Sequence, residues 1–249
     1  MRTFRAVFLR ELFAFFVTPL AWVLVTVFLL VQGMHFYLLV SFFADQAQVS
    51  SDQTPVQAFF GNTVLLYIVL FLLIPPITMR LFAEERRSGT IETLMTAPVS
   101  TTGVVLAKYA SALVVYAFLW APTVLYIVIL RRTGDVDWHI VGSSYLGVFL
   151  VGAGYLSLGL LMSAMTKSQF LALVLTAMVI LTLFILGVGE FITREGTLIH
   201  DVCSHVSVWA QMNDFASGVV DSRRVVFDCT LIVLPLFLTV RVVDAWRWG

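Results

Sequence analysis

The residues best suited to chemistry in this chain are charged, and they are crowded into one run. Residues 80–100 read Arg-Leu-Phe-Ala-Glu-Glu-Arg-Arg-Ser-Gly-Thr-Ile-Glu-Thr-Leu-Met-Thr-Ala-Pro-Val-Ser, in a sequence of 249 residues that is 60% hydrophobic and only 12% charged. Glu84, Glu85, Arg86 and Arg87 set two carboxylates beside two guanidinia, which suits ion pairing and docking rather than bond making. Groups that make and break bonds are missing. There is no G-x-x-x-x-G-K-[ST] phosphate loop, and no glycine is followed by lysine at all. There is no H-E-x-x-H zinc helix and no G-x-S-x-G nucleophile elbow. His35, His139, His200 and His205 have no strong metal-ligand spacing, although Cys203 lies between the last two. Cys203 and Cys229 are too few for a disulfide framework, and a bridge between them is conceivable on the outer side.

The run has its own local order. Gly89 interrupts the helix that arrives from the left. Thr90 can cap a new short helix, with Glu92 in its first turn where the helix dipole favours an anion. Ile91, Thr93, Leu94 and Met95 continue that helix, and Ala97-Pro98 stops it because the residue before proline is pushed out of the α region. Ser100 or Thr101 can then cap the next long helix. A juxtamembrane charge cluster that only fixes orientation is one explanation. A docking element is the other.

The elements that must position this run are membrane spans. A mean hydropathy of +0.96 and 21 phenylalanines exceed what one soluble core of this length can hide, so an integral membrane protein is expected. The net charge of zero leaves no nucleic-acid footprint. The apolar stretches place six spans at about 19–43, 57–79, 103–130, 139–165, 170–189 and 224–243. Before them, Phe4, Phe8, Leu12 and Phe15 form one helical stripe over 1–18, with Arg2, Arg5 and Arg10 largely opposite and Glu11 at the edge. That pattern fits an interfacial helix lying on the membrane surface. It is followed by too long an apolar stretch for a signal peptide, so the first span is expected to be retained. Pro75-Pro76 should kink the second span just before it emerges. Ser143/Gly147 and Gly159/Ser163 are each four apart, as close helix packing requires. Residues 190–222 are expected to include short helices at the outer surface.

Six spans put both termini on one side. Placing them in the cytoplasm assigns Arg2, Arg5, Arg10, Arg80, Arg86, Arg87, Lys108, Lys167, Arg241 and Arg247 inside and Arg131, Arg132, Arg194, Arg223 and Arg224 outside. The excess of basic residues favours that orientation and makes 80–100 cytoplasmic. The spans themselves carry little charge. His35 stands near mid-membrane, where it is expected to hydrogen-bond a neighbouring helix, and Glu190 and Asp228 lie near the outer ends. Ion-coupled transport needs buried ionisable groups, so the energy source is expected in another chain.

The run 77–100, with Arg10-Glu11-Leu12 and Thr18-Pro19-Leu20-Ala21 before it, resembles the signature of ABC-2-type transporter permeases, closest to gliding-motility permeases of the GldF-like kind and to NosY-like permeases. The resemblance implies a single six-span, all-α domain over 1–249, without an enzyme activity of its own. It implies two separate ABC ATPase subunits that hold the ATP and Mg, a second permease copy or paralogue, and room for an auxiliary extracytoplasmic protein. It also implies a bacterial inner membrane, a coupling helix at 90–97, a gate-helix end at Glu84–Arg87, a connecting helix at 1–18, and outer helices capping a translocation path. Export or translocation of a substrate by alternating access follows, with spans 1, 2 and 5 shifting at a dimer interface. The alternatives are a membrane component of a motility or secretion machine, a stand-alone channel or secondary transporter, and an intramembrane enzyme.

Overall fold

The computed structural model describes residues 2–44, 54–61, 64–90, 100–133, 136–194 and 196–246. Everything regular among them is helical, and six helical segments are long and apolar enough to cross a membrane. The chain is an all-α, six-span integral membrane protein.

Helix α1 (Arg2–Val17) turns at Thr18 into α2 (Pro19–Ala44), the first span. Pro19 stands at the first helical position, where its missing N–H is harmless. The second span is divided. Residues 57–79 do not form one helix: a short α3 (Pro55–Phe60) ends at Gly61, and the candidate span, Val64–Ser88, starts with α4 (Val64–Thr78). Thr54 and Gln57 form a reciprocal capping box that starts α3.

Pro75 and Pro76 stand just before the end of the helix. Both lie inside α4, and the chain leaves the helix only after them, over residues 79–82, before α5 (Ala83–Ser88) begins. The third span is α6 (Thr101–Trp120) and α7 (Val124–Thr133), joined by a 3₁₀ turn at Ala121–Thr123 that contains Pro122. The fourth is α8 (Trp138–Met165), and the fifth is α9 (Gln169–Val188), which runs into a 3₁₀ turn at Gly189–Phe191. Two short helices, α10 (Leu198–Val206) and α11 (Val208–Ala216), connect it to the sixth span, α12 (Ser222–Ala245).

Helix α8 is the centre of the bundle. Its small residues let neighbours close on it, as membrane helices need when lipid removes the hydrophobic drive between them. At Gly147 a Cβ would lie 2.6 Å from the Phe215 ring of α11, and at Gly159 a Cβ would lie 2.3 Å from Thr78 Oγ1 of α4. The small-residue pairs seen in the sequence therefore have separate tasks: Ser143/Gly147 seats α11 and Gly159/Ser163 seats the end of α4. Ser143 Oγ donates to the Phe215 carbonyl at 2.6 Å. Tyr109 and Tyr116 of α6 donate their hydroxyls to the Ala153 and Val148 carbonyls of α8, each at 3.0 Å. By contrast α2, α9 and α12 keep bare apolar faces, including Leu30, Phe170, Met178 and Phe237. Lipid covers such faces in a six-span protein.

His35 is buried, but its Nδ1 has no hydrogen-bond partner among the described residues. The imidazole stacks on the Phe59 ring at 4.8 Å and 9°. Cys203 and Cys229 are both free, and the described residues contain no cluster of ligands for a metal ion.

Candidate functional site

The charged run is built on a broken helix. Pro75 and Pro76 have no N–H, so the backbone ladder of α4 weakens there and the chain turns at 79–82. The loose backbone groups at that turn are received by one side chain. Ser163 Oγ of α8 accepts from the N–H groups of Phe82 and Ala83, both at 3.1 Å, and donates to the Met79 carbonyl at 3.1 Å. α5 therefore starts from a fixed point on the central helix. It ends at Gly89, whose φ of +71° lies in the left-handed region that glycine enters without strain.

Between those ends α5 connects to five other elements. Glu85 pairs with Lys108 of α6 at 3.1 Å and with Arg10 of α1. Lys108 also pairs with Glu11 of α1 at 2.9 Å and donates to the Leu81 carbonyl. Arg10 pairs with Glu11 at 2.7 Å. These four side chains, Arg10, Glu11, Glu85 and Lys108, form one knot of two cations and two carboxylates. On the other side of α5, Glu84 accepts from Gln169 at the start of α9 and meets Arg80 at 3.4 Å. Arg86 donates to the Ala164 carbonyl of α8 at 3.0 Å, and its guanidinium lies 4.5 Å from the Trp246 ring after α12. Arg87 is exposed.

Burial decides the character of the knot. The Lys108 side chain is 1% exposed, against 15% for Glu11 and 13% for Glu85. A buried ammonium is costly unless paired and fully hydrogen-bonded, and its three N–H groups meet Glu11, Glu85 and Leu81. Burial by itself would raise the Glu11 carboxyl. The charges and hydrogen bonds of Lys108 and Arg10 outweigh burial and hold the carboxyl below its ordinary value. Burial would likewise lower the Arg10 guanidinium, but Glu11 and Glu85 outweigh it and raise it.

The sequence-derived site residues divide accordingly. Glu84, Glu85, Arg86, Arg10 and Glu11 are brought together around α5. Thr90 turns its hydroxyl back to Ser88 Oγ at 2.9 Å. Ile91, Glu92, Thr93, Leu94, Met95 and Pro98, with the short helix expected over 90–97, lie outside the described residues. So does the side chain of Arg2. Ser100 caps α6 by accepting from the Gly103 N–H at 3.2 Å.

The apolar stripe of α1 does not all face one environment. Leu12 and Phe15 pack on the protein core and Phe16 sets its ring 5.0 Å from Phe118 of α6. Phe4 stacks on Phe8 at 6.3 Å but remains 40% exposed, and Arg5 is exposed. α1 is thus docked along α6 rather than only lying on a surface. Glu11, an imperfection in the stripe, is its anchor. Lys108 needs a larger correction. Counted from sequence as one more basic residue near the membrane surface, it is the most buried charge of the site. The available signal was its isolation: it is the sole charge between Ser100 and Leu130.

A family model described as an ABC-2 family transporter protein matches residues 44–220. That match covers most of the chain, including the whole of α4, α5 and α6. The chain belongs to the ABC-2 transporter family. Among curated proteins none matches it. Membership makes the chain the membrane component of an ABC transporter, and of the knot Glu85 and Lys108 lie within the matched residues.

Proposed function

We propose that this ABC-2 protein is a permease subunit that moves its substrate by alternating access, driven by two ATPase subunits docked at segment 90–98. The observation that carries the proposal is the knot itself. Segment 90–98 is tied at its start to α5 by Gly89, and α5 is ion-paired to α1 and α6 and hydrogen-bonded to α8 and α9. A push at 90–98 therefore reaches most of the bundle through buried charge, which is far stiffer than solvated ion pairs.

The partner supplies ATP and Mg, and a second permease copy or paralogue completes the pathway, in the manner of the gliding-motility and NosY-like permeases the sequence resembles. The positive-inside count supports α5 and both termini in the cytoplasm, and the family resemblance supports a bacterial inner membrane. α10 and α11 then stand outside, over the path.

The test is ATPase stimulation in the reconstituted complex. Leu94→Asp, which removes an apolar docking contact, and Glu92→Ala are expected to uncouple ATP turnover from the permease while both subunits still fold. Wild-type stimulation and transport in both variants would sink the proposal.

A further inference from the structure

Beside the knot lies a cleft of about 540 Å³ between α1, the end of α4, and α6. Its lining changes character along its length. Toward the membrane interior it is apolar: Ala112 and Val115 lie one and two turns deeper on α6 than Lys108, and Ile77 lies one turn deeper than Arg80. Toward the end carrying α5 it holds Arg10, Arg80, Glu84 and Glu85. An apolar trough closed by charges of both signs fits an amphiphile with a zwitterionic head.

The unused valences narrow the head. Glu85 Oε2 is buried with no hydrogen-bond partner among the described residues, while Oε1 serves Arg10 and Lys108. A buried carboxylate oxygen without a donor is costly and calls for one. Lys108 donates to Glu11 and the Leu81 carbonyl and meets Glu85 through Oε1, not Oε2. On the cationic side, Arg80 touches Glu84 only through Nε, at 3.4 Å, which leaves its terminal nitrogens for an anion.

We propose that this cleft binds one ethanolamine phospholipid from the leaflet on the α5 side. Its ammonium meets the carboxylates at the charged end, chiefly the exposed Glu84 beside Glu85, its phosphate meets Arg80 and Arg10, and an acyl chain runs along Ile77, Ala112 and Val115. Choline has no N–H to give, and an anionic head brings no cation to the carboxylates. The proposal needs only the membrane-spanning fold and not the ATPase partner, so the two can fail separately.

The experiment is native mass spectrometry of the full-length protein taken from vesicles of equal phosphatidylethanolamine, phosphatidylcholine and phosphatidylglycerol with identical chains. One lipid is expected to stay bound, with ethanolamine favoured over choline by about tenfold, the worth of one charge-assisted hydrogen bond. Ala14→Trp and Val17→Trp, at exposed positions on the wall of the cleft, are expected to abolish retention with thermal unfolding unchanged. Glycerophosphoethanolamine, which lacks the chains, is expected not to compete. Equal retention of choline lipid, preferred retention of phosphatidylglycerol, retention by both tryptophan variants, or equal competition by the chainless head would each overturn the assignment.

Discussion

Lys108 holds the charged end together, and removing it should show the cost of buried carboxylates that lose a cation. Lys108→Met leaves Glu11 and Glu85 with Arg10 as their remaining partner and is expected to destabilise the protein by on the order of 3 kcal/mol. The pair Lys108→Met/Glu85→Leu should recover much of that loss, because both members of a buried pair are then apolar. Thermal unfolding in detergent measures both, and equal loss in the single and double variants would contradict the pairing. Glu11 adds a pH dependence. Its carboxyl is held below the ordinary value of 4.5. A group depressed in the folded state stabilises it above its unfolded pKa and loses that contribution as pH falls through the folded one. The docking of α1 on α6 should therefore hold at neutral pH and loosen below about 4.5. Hydrogen exchange over residues 2–17 should rise there, and Glu11→Gln should exchange fast already at neutral pH.

At the scale of elements, the junction between α4 and α5 depends on α8 being smooth and supplying one hydroxyl. Ser163→Ala leaves the N–H groups of Phe82 and Ala83 without their acceptor and should cost about 1–3 kcal/mol. Gly159→Val drives a side chain into Thr78 and should cost about as much through overpacking. Thr78→Ala should partly rescue Gly159→Val but not Ser163→Ala; unfolding midpoints of the four proteins decide it. The sequence made part of this legible. The spans stood out because long apolar runs have no other use, and the spacing of Gly159 and Ser163 marked a close approach. Their partner was invisible, since nothing local says that Thr78 and the 79–82 turn come to rest there. Glu84, Glu85, Arg10 and Glu11 were recognisable as charges, but their convergence on Lys108 joins residues 97 apart in sequence. No periodicity encodes that contact.

For the whole molecule, the bundle has one end rich in ion pairs around α5 and another closed by α3, α10 and α11. Membership of the ABC-2 family makes this a transporter component, and the orientation proposed above places the α5 end in the cytoplasm. In a background with Cys203 and Cys229 replaced by serine, Leu198→Cys should react with an impermeant maleimide in intact cells and Lys167→Cys only after permeabilisation. The reverse pattern would invert the topology. The central claim is that drive from the ATPase crosses the knot to reach α10. The most direct measurement is the spin-label distance between the Leu198→Cys sites of the two permease copies in the ATPase complex, with and without ATP. The distance is expected to change on ATP binding in the otherwise unaltered protein, and to stay fixed in Lys108→Met/Glu85→Leu although the ATPase remains bound. An equal ATP-driven change in that variant would contradict the account.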